Sequence, residues 1–268
     1  MKGKKRAVLL VLLPLAAVLL AAFDVRLRVV TYEVASGKVD APVRLAVLTD
    51  LHSCAYGQDQ RTLLDTVASQ APDAVLLGGD IVDDVLPEDN AWTTVKALAQ
   101  AYPCVYVTGN HEWWSGEAER ICGQMADLGV TVLRGDGVTW ELNGQTIAVC
   151  GIDDPDSGED QLAAAGNIVN GRTFMVLLAH RPENIKCYLQ YPFDLIVSGH
   201  AHGGQWRIPG LLNGLYAPHQ GLFPRYAGGR YDFDGATFLV SRGLARESTR
   251  VPRIFNRPEL VIVDILPK

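Results

Sequence analysis

Residues 43–52 read Val-Arg-Leu-Ala-Val-Leu-Thr-Asp-Leu-His, an apolar run that ends in two side chains able to ligate a metal, Asp50 and His52. A β-branched run of this length is typical of a buried strand. The stretches Leu76-Leu-Gly-Gly-Asp80 and Val107-Thr-Gly-Asn-His111 repeat the arrangement farther along the chain. The pattern therefore predicts buried strands, each with a polar group placed where the strand ends.

The rest of the chain alternates apolar runs with helix-like segments. Strands are predicted at residues 43–49, 74–77, 105–108, 173–179, 194–198, 237–241 and 260–265, and helices at 60–70, 90–101 and 117–128. Residues 138–152 alternate apolar and polar side chains on both sides of Asn143-Gly144, which indicates a β-hairpin. This order predicts an α/β fold with mixed sheets, and the Gly- and Pro-rich segment 203–229 is interpreted as an extended loop.

Most of the histidines follow the predicted strands. Five of the six in the chain do so, together with two aspartates and one asparagine: Asp50, His52, Asp80, Asn110, His111, His180, His200 and His202. Ligands bind at the carboxyl ends of the strands in open α/β sheets, so we expect these side chains to meet at one edge. Glycines directly precede Asp80, Asn110 and His200, and they allow tight turns and close backbone approach.

Each of these motifs also has an ordinary structural explanation. Asp50 and His52 could form a turn-and-cap pair, and Gly79-Asp80 could be a helix cap or a surface turn. His180 could be a core histidine whose hydrogen bonds are satisfied. The joint pattern, with each group placed after an apolar run, favours a shared metal site over separate structural roles.

The N-terminal segment 1–28 differs from the rest of the chain. Residues 7–23 form an apolar run of 17 residues, preceded by Lys2, Lys4, Lys5 and Arg6 and followed by Arg26 and Arg28. A helix of this length spans about 25 Å, slightly less than a hydrocarbon core of about 30 Å. The flanking charges predict a single-pass membrane anchor with a cytoplasmic N-terminus and a catalytic domain outside the cytoplasm. A cleaved signal peptide, which would give a secreted protein, and a buried core helix are the alternatives.

Composition limits the class of protein. The chain has 268 residues, of which 48% are hydrophobic and 20% charged, so we expect one folded domain over residues 40–268. Beyond the N-terminal segment the acidic residues outnumber the basic ones, which argues against nucleic acid as a partner. The five cysteines show no CxxC spacing, and we expect small core residues, with one disulfide open if the domain is exported.

Taken together, Asp50-x-His52, Gly79-Asp80-x-x-Asp83, Gly109-Asn110-His111-Glu112, His180 and Gly199-His200-x-His202 resemble the five-block signature of the calcineurin-like metallophosphoesterases. Gly203-Gly204-Gln205 and the ending near Arg257-Pro258-Glu259-Leu260 resemble the bacterial membrane-associated or exported branch of the YkuE and YaeI type. The resemblance implies a four-layer αββα sandwich and a site for two divalent metal ions.

Ligand roles are carried over from the same resemblance. Asp50, His52, Asp80 and His202 would hold the first ion, and Asp80, Asn110, His180 and His200 would hold the second. Asp80 would be the bridge, and Asp83 would belong to the surrounding loop and not to the ligands. Mixed nitrogen and oxygen donors suit manganese, iron or zinc better than magnesium.

The expected reaction is hydrolysis of a phosphate ester, either a diester or a monoester, on an envelope or lipid-linked substrate. A hydroxide bridging the two ions would attack phosphorus in line. His111 would act as general acid or stabilise the transition state, or it would only orient a neighbouring ligand. We expect a monomer.

Two other functions stay open: a phosphoprotein phosphatase, for which Arg181 and Arg207 are the nearest candidate phosphate-binding arginines, and a non-catalytic metal-binding interaction protein. The apolar loop 210–225, which contains His219, either faces lipid or packs on its own sheet.

Overall fold

Two six-stranded sheets arise from the apolar runs of the sequence. The structure, a computed structural model, describes residues 2–168, 171–248 and 251–268. The first sheet has the strand order β1 (Arg28–Ser36), β14 (Glu259–Pro267), β2 (Val43–Leu48), β3 (Ala74–Gly78), β4 (Cys104–Val107) and β5 (Thr131–Val132). The second has the order β12 (Gly229–Phe233), β13 (Ala236–Val240), β9 (Leu195–Ser198), β8 (Phe174–Ala179), β7 (Gln145–Ile152) and β6 (Asp136–Leu142).

Both sheets are mixed, as predicted. In the first sheet, β14 pairs antiparallel with β2, and all other pairs of neighbouring strands are parallel. In the second, the parallel strands β13, β9, β8 and β7 are flanked by the antiparallel strands β12 and β6. The predicted hairpin is β6–β7, and Asn143 and Gly144 both have positive φ at its turn, as a type I′ turn requires.

Helices lie between the strands. They are α1 (Lys2–Ala22), α2 (Arg61–Ser69), α3 (Asp89–Ala101), α4 (Asn110–Trp114), α5 (Ala118–Asp127), α6 (Leu162–Gly166) and α7 (Ile185–Tyr188). Short 3-10 turns occur at Gln58–Gln60, Pro155–Ser157, Pro182–Asn184 and His202–Gly204. The loop 203–229 is mostly irregular, as expected, and contains a small ribbon of β10 (Tyr216–Ala217) and β11 (Gly221–Leu222).

Alternation along the strands produces the layers. In β2, Leu45 and Val47 pack between the two sheets, whereas Ala46 and Leu48 point toward α2, α3 and α5. On the far side of the second sheet a third apolar cluster packs against α6 and α7. Each fully buried Leu or Val side chain in these clusters contributes about 1.5–3 kcal/mol. The predicted αββα order of four layers is therefore present.

The N-terminal region departs from two predictions. The first sheet begins at Arg28, before the predicted domain boundary at residue 40, because the alternating strand β1 pairs along its whole length with β14. Residues 2–22 form α1, but within the described part of the chain no helix combines the length and apolarity needed to cross a membrane. The transmembrane anchor predicted over residues 1–28 thus has no support from the structure. Met1 lies outside the described residues.

The cysteines behave as core residues. Cys54, Cys104, Cys122 and Cys150 are buried and Cys187 is exposed, and all five are free thiols. The disulfide left open by the sequence is not formed.

Candidate metal centre

The predicted ligands meet at the carboxyl ends of the strands. Asp50 follows β2, Asp80 follows β3 and Asn110 follows β4; His180 follows β8, and His200 and His202 follow β9. All of them, with His52, are buried. Two groups bring their donor atoms within 4.8 Å of one another: Asp50, His52, Asp80 and His202, and Asp80, His180 and His200. The two groups share Asp80. The first has the same members as the first ligand set inferred from the sequence, and the second has three of the four members of the other set, without Asn110.

Six polar atoms of these residues are buried and have no hydrogen-bond partner. They are Asp50 Oδ2, His52 Nε2, Asp80 Oδ2, Asn110 Oδ1, His180 Nε2 and His202 Nδ1. An unsatisfied buried polar group costs about 1–3 kcal/mol, so a protein seldom gathers six of them in one place. Oxygen and imidazole nitrogen donors are what manganese, iron and zinc accept. The residues therefore fit a pair of divalent cations.

The remaining atoms of the ligands are held by the protein. Asp50 Oδ1 accepts a hydrogen bond from the His200 backbone N–H at 2.8 Å, and Asp80 Oδ1 accepts one from the His111 backbone N–H at 2.8 Å. His180 Nδ1 donates to the Gly78 carbonyl at 2.8 Å, which leaves its Nε2 lone pair for the centre. In each of these side chains a hydrogen bond to the backbone fixes one polar atom, and the other polar atom is left available to a metal ion.

His52 is oriented in the same way by Asp83. Its Nδ1 lies 2.9 Å from Asp83 Oδ2 and its Nε2 lies 3.6 Å from Asp80 Oδ2. Asp83 also accepts hydrogen bonds from the N–H groups of Val85 and Leu86, so it shapes the loop after β3. This is the supporting position that the sequence predicts for Asp83.

The backbone at the centre is strained. Asp50, His52, Asp80, His200 and His202 all have positive φ, between 47° and 64°. Such conformations cost about 1–3 kcal/mol each and persist only where the surroundings enforce them. Their concentration at the ligands indicates that the turns are built to aim side chains.

Two glycines make the approach possible. Gly79 has φ of 86°, and a Cβ placed on it would lie 2.6 Å from His180 Nδ1. A Cβ on Gly109 would lie 2.2 Å from Asp80 Oδ1. A larger residue at either position would displace a ligand, which explains why glycine precedes the polar residues of these motifs.

Comparison with known proteins agrees with this geometry. The model of the family described as "Calcineurin-like phosphoesterase" matches residues 43–204. The chain belongs to the calcineurin-like phosphoesterase family. It is therefore a metal-dependent phosphoesterase, a hydrolase that acts on phosphate esters.

Bacterial relatives cover most of this phosphoesterase. YpbG of Bacillus subtilis is 29% identical over 238 residues, which cover 88% of this chain and 85% of that protein. The metallophosphoesterase YkuE of the same species is 27% identical, with 83% and 78% covered. The phosphodiesterase YaeI of Escherichia coli is 28% identical, with 84% and 83% covered. The crystal structure of TT1561 from Thermus thermophilus has the same fold, with a TM-score of 0.51 and 12% identity over 75% of this chain and 90% of that one.

The electrostatics of the phosphoesterase site favour positive charge. Burial raises the pKa of Asp50. Burial opposes ionisation of Asp80 as well, but His180 and His52 lower its pKa well below the usual range. Burial alone would lower the pKa of His180, yet the carboxylates of Asp80 and Asp50 raise it to about 10. The carboxylates also raise the pKa of His52, whereas burial lowers the pKa of His200 and His202. Protons on His52 and His180 thus balance the buried carboxylates, and bound cations would replace those protons.

Glu112 is a part of the site to which the sequence assigned no role. Its fully buried carboxylate accepts hydrogen bonds from the backbone N–H groups of Gly109, Asp80, Ile81 and Val82 at 2.8–3.0 Å. Burial and the nearby Asp80 charge raise the pKa of Glu112 to about 7. The side chain ties the turn after β3 to the start of α4. Its place directly after Asn110-His111 is the only sequence signal for it.

His111 lies at the rim and not among the buried ligands. Its ring is 4.3 Å from that of His52, and its side chain is 24% exposed. Nδ1 lies 2.5 Å from Asp84 Oδ1, a carboxylate that the sequence analysis did not single out. The ring therefore has one nitrogen fixed by a carboxylate and the other free for chemistry.

The long loop also reaches the site. His219 Nδ1 lies 3.0 Å from His200 Nε2 and 2.7 Å from Arg181 Nη1. Arg181 is itself paired with Asp154, at 2.5 and 2.8 Å, so its charge is largely neutralised. His219 stood apart from the motifs in the sequence, and only the fold of the loop brings it here.

Proposed function

We propose that the protein hydrolyses phosphodiesters at a centre of two divalent ions. The observation that carries the proposal is that two overlapping groups of donors share Asp80 and contain five buried donor atoms without a hydrogen-bond partner. The name of its relative YaeI, a phosphodiesterase, favours diesters over monoesters as the first substrates to try.

The protein's own residues divide the work. Asp50, His52, Asp80 and His202 would hold one ion, and Asp80, Asn110, His180 and His200 the other. When bound, two such ions supply Lewis acidity to phosphoryl oxygens and a water of lowered pKa. Asp84 fixes Nδ1 of His111, so Nε2 is the atom that donates a proton to the leaving-group oxygen.

The alternative functions are less well supported. A non-catalytic scaffold would be expected to lose ligands, and here six candidate ligands form the two groups: Asp50, His52, Asp80, His180, His200 and His202. A phosphoprotein phosphatase would benefit from a free arginine for the second anionic group. Arg181 is paired with Asp154, and Arg207 lines a cavity that contains none of the metal ligands.

A lipid-linked substrate fits the surface near the loop 210–225. Leu211, Leu222 and Phe223 expose most of their side chains to solvent. Exposed apolar side chains of this kind are common at membrane or ligand contacts. A location outside the cytoplasm stays a prediction from the charges that flank residues 7–23, and the monomeric state stays a prediction as well.

The test is hydrolysis by the manganese-loaded full-length chain of bis-p-nitrophenyl phosphate, of p-nitrophenyl phosphate and of a phospholipid diester in liposomes. We expect the diester to be cleaved faster than the monoester, and Asp80→Ala to abolish cleavage. Asp65→Ala, which changes an exposed aspartate on α2, is the matched control and should stay active. A metal-replete protein that cleaves none of the three would contradict the proposal.

A further inference from the structure

A cavity of about 470 Å³ lies apart from the metal ligands. It is bounded by the start of β1, the segment 207–213, Arg242 and Phe255. Among the residues that the structure describes, three arginines, Arg28, Arg207 and Arg242, line it, and no carboxylate does. Neither the metal centre nor the reaction proposed for it uses this cavity.

The positive charge in this arginine cavity is poorly balanced. Arg207 is buried, and its hydrogen bonds within the described part of the chain go to neutral acceptors, the Gly203 carbonyl at 3.0 Å and the Asn213 side chain. Arg242 Nε lies 3.4 Å from Glu259 Oε2, but neither atom makes a hydrogen bond. Burial lowers the pKa of Arg207 to about 10, and repulsion by the neighbouring Arg242 contributes a smaller part of the shift.

Arg28 adds a third charge from the mouth of the cavity. Its side chain is exposed, and within residues 2–168, 171–248 and 251–268 it makes no hydrogen bond or ion pair with another side chain. Glu259 is the one carboxylate paired with this group of arginines, so two positive charges are in excess. An anion is therefore the complementary ligand.

We propose that the arginine cavity binds the phosphate group of a phosphate-bearing ligand. Guanidinium groups present planar donors that match phosphate oxygens in pairs, and a cavity of this size suits a small ligand. The ligand's phosphate belongs either to a lipid headgroup or to a soluble molecule. Leu211 and Ile208, 82% and 49% exposed, form an apolar rim that suits a lipid.

The cavity shares a wall with the metal centre without contributing a ligand to it. Arg207 donates to the carbonyl of Gly203, the residue after His202. Gly243, which follows Arg242, packs so closely on Asp50 that a Cβ placed on it would lie 2.6 Å away. A bound phosphate would thus rest against the turns that carry two of the ligands.

The first test localises inorganic phosphate on the metal-loaded full-length protein by hydrogen exchange. The local readout is needed because phosphate also binds a phosphoesterase centre as product. We expect millimolar phosphate to protect backbone amides in the segment 207–213 from exchange. In Arg28→Gln the phosphate concentration needed for the same protection should rise about tenfold, because one charge-assisted contact is lost. Arg61→Gln removes another exposed arginine, on α2, and should change nothing.

The second test separates the two sources of phosphate. Vesicles of phosphatidylglycerol and of phosphatidylcholine are compared in flotation with the wild-type protein and the same two variants. Capture by phosphatidylglycerol that weakens in Arg28→Gln but not in Arg61→Gln supports a headgroup site, and protection by free phosphate alone supports a soluble ligand. No protection of residues 207–213 together with equal capture of both variants would overturn the proposal. Because the hydrolysis assay is separate, this result leaves the proposed enzyme activity unaffected.

Discussion

Asp80 divides its two carboxylate oxygens between the backbone and the metal centre. Oδ1 accepts the His111 backbone N–H, and Oδ2 lies 3.1 Å from His180 Nε2 with no hydrogen-bond partner. The residue is fully buried and adopts φ of 52°. A side chain held in this way between two groups of donors is suited to bridging two ions.

Asp84 is the residue whose role is most easily separated from that of the ligands. We expect Asp84→Asn to lower kcat about ten- to a hundredfold with little change in KM, because the carboxylate orients His111 and does not touch the metal ligands. The measurement is a double-mutant cycle with His111→Ala. If Asp84 acts only through His111, the double variant will be no slower than His111→Ala alone. Fully additive losses would show that Asp84 acts elsewhere.

At this scale the positions of the candidate ligands and the supporting place of Asp83 could be predicted, whereas the supporting roles of Glu112 and Asp84 could not. Asp50, Asp80 and His180 each follow an apolar run, so their position at a strand end is legible in the sequence. Glu112 and Asp84 follow no strand, and their function depends on which backbone groups and rings the fold brings to them. Nothing in local spacing encodes such contacts.

Among the elements, the junction of β4 and α4 is the most tightly packed part of the site. Gly109 is the residue before α4, and its N–H donates to Glu112 at 2.8 Å. The same glycine touches Asp80, which belongs to the turn after β3. The junction thus fixes the position of the shared ligand relative to Asn110.

Gly109→Ala tests this packing. A methyl group there would meet Asp80 at 2.2 Å, so we expect a loss of about 1–3 kcal/mol in the free energy of unfolding together with loss of activity. Gly123→Ala is the control: the position lies in α5 with no heavy atom within 4 Å, and alanine should stabilise the helix by about 0.5–1 kcal/mol. Chemical denaturation measures both. An active and stable Gly109→Ala protein would show that the junction has room.

The elements themselves were largely predictable. Most predicted strands and helices agree with the structure to within one or two residues, because their apolar periodicity matches their burial. Strand β1 was missed because it lies before residue 40, where the folded domain was predicted to begin, and because its partner β14 is more than 200 residues away in the sequence. Strand β5 has only two residues, too few for a period.

For the molecule as a whole, two of the three apolar clusters contain four of the five free thiols. Burial raises the pKa of Cys104 and Cys122 to about 12 and that of Cys150 to about 11. Cys54 is buried as well, and its pKa is also raised by burial. The thiolate is the reactive form of cysteine. These four cysteines are therefore protected from thiol reagents both because they are buried and because they stay protonated.

We therefore expect iodoacetamide at pH 8 to label one thiol per folded chain, Cys187, and all five after unfolding in guanidinium. Intact-mass spectrometry counts the labels, and Cys187→Ser should remove the single native label. Fast labelling of two or more thiols in the folded protein would mean that a layer of the sandwich opens readily.

The layered architecture was foreseen only in part. Alternating strands and helices indicate an α/β fold, but the division of the strands between two facing sheets is not a local property. It depends on whether the strand face that carries Leu45 and Val47 packs against a second sheet. The expectation of two facing sheets came from the family resemblance and not from periodicity. The N-terminal segment shows the reverse, since its apolar run predicted an anchor that the described structure does not support.

The most direct test of the central claim is the metal content of the full-length protein after loading with manganese and removal of free ions, measured by mass spectrometry of the elements. We predict about two ions per chain in the wild type and in His111→Ala, and loss of both in Asp80→Ala, because the shared carboxylate belongs to both groups of donors. A wild-type protein that holds no metal, or an Asp80→Ala protein that holds as much as the wild type, would contradict the account.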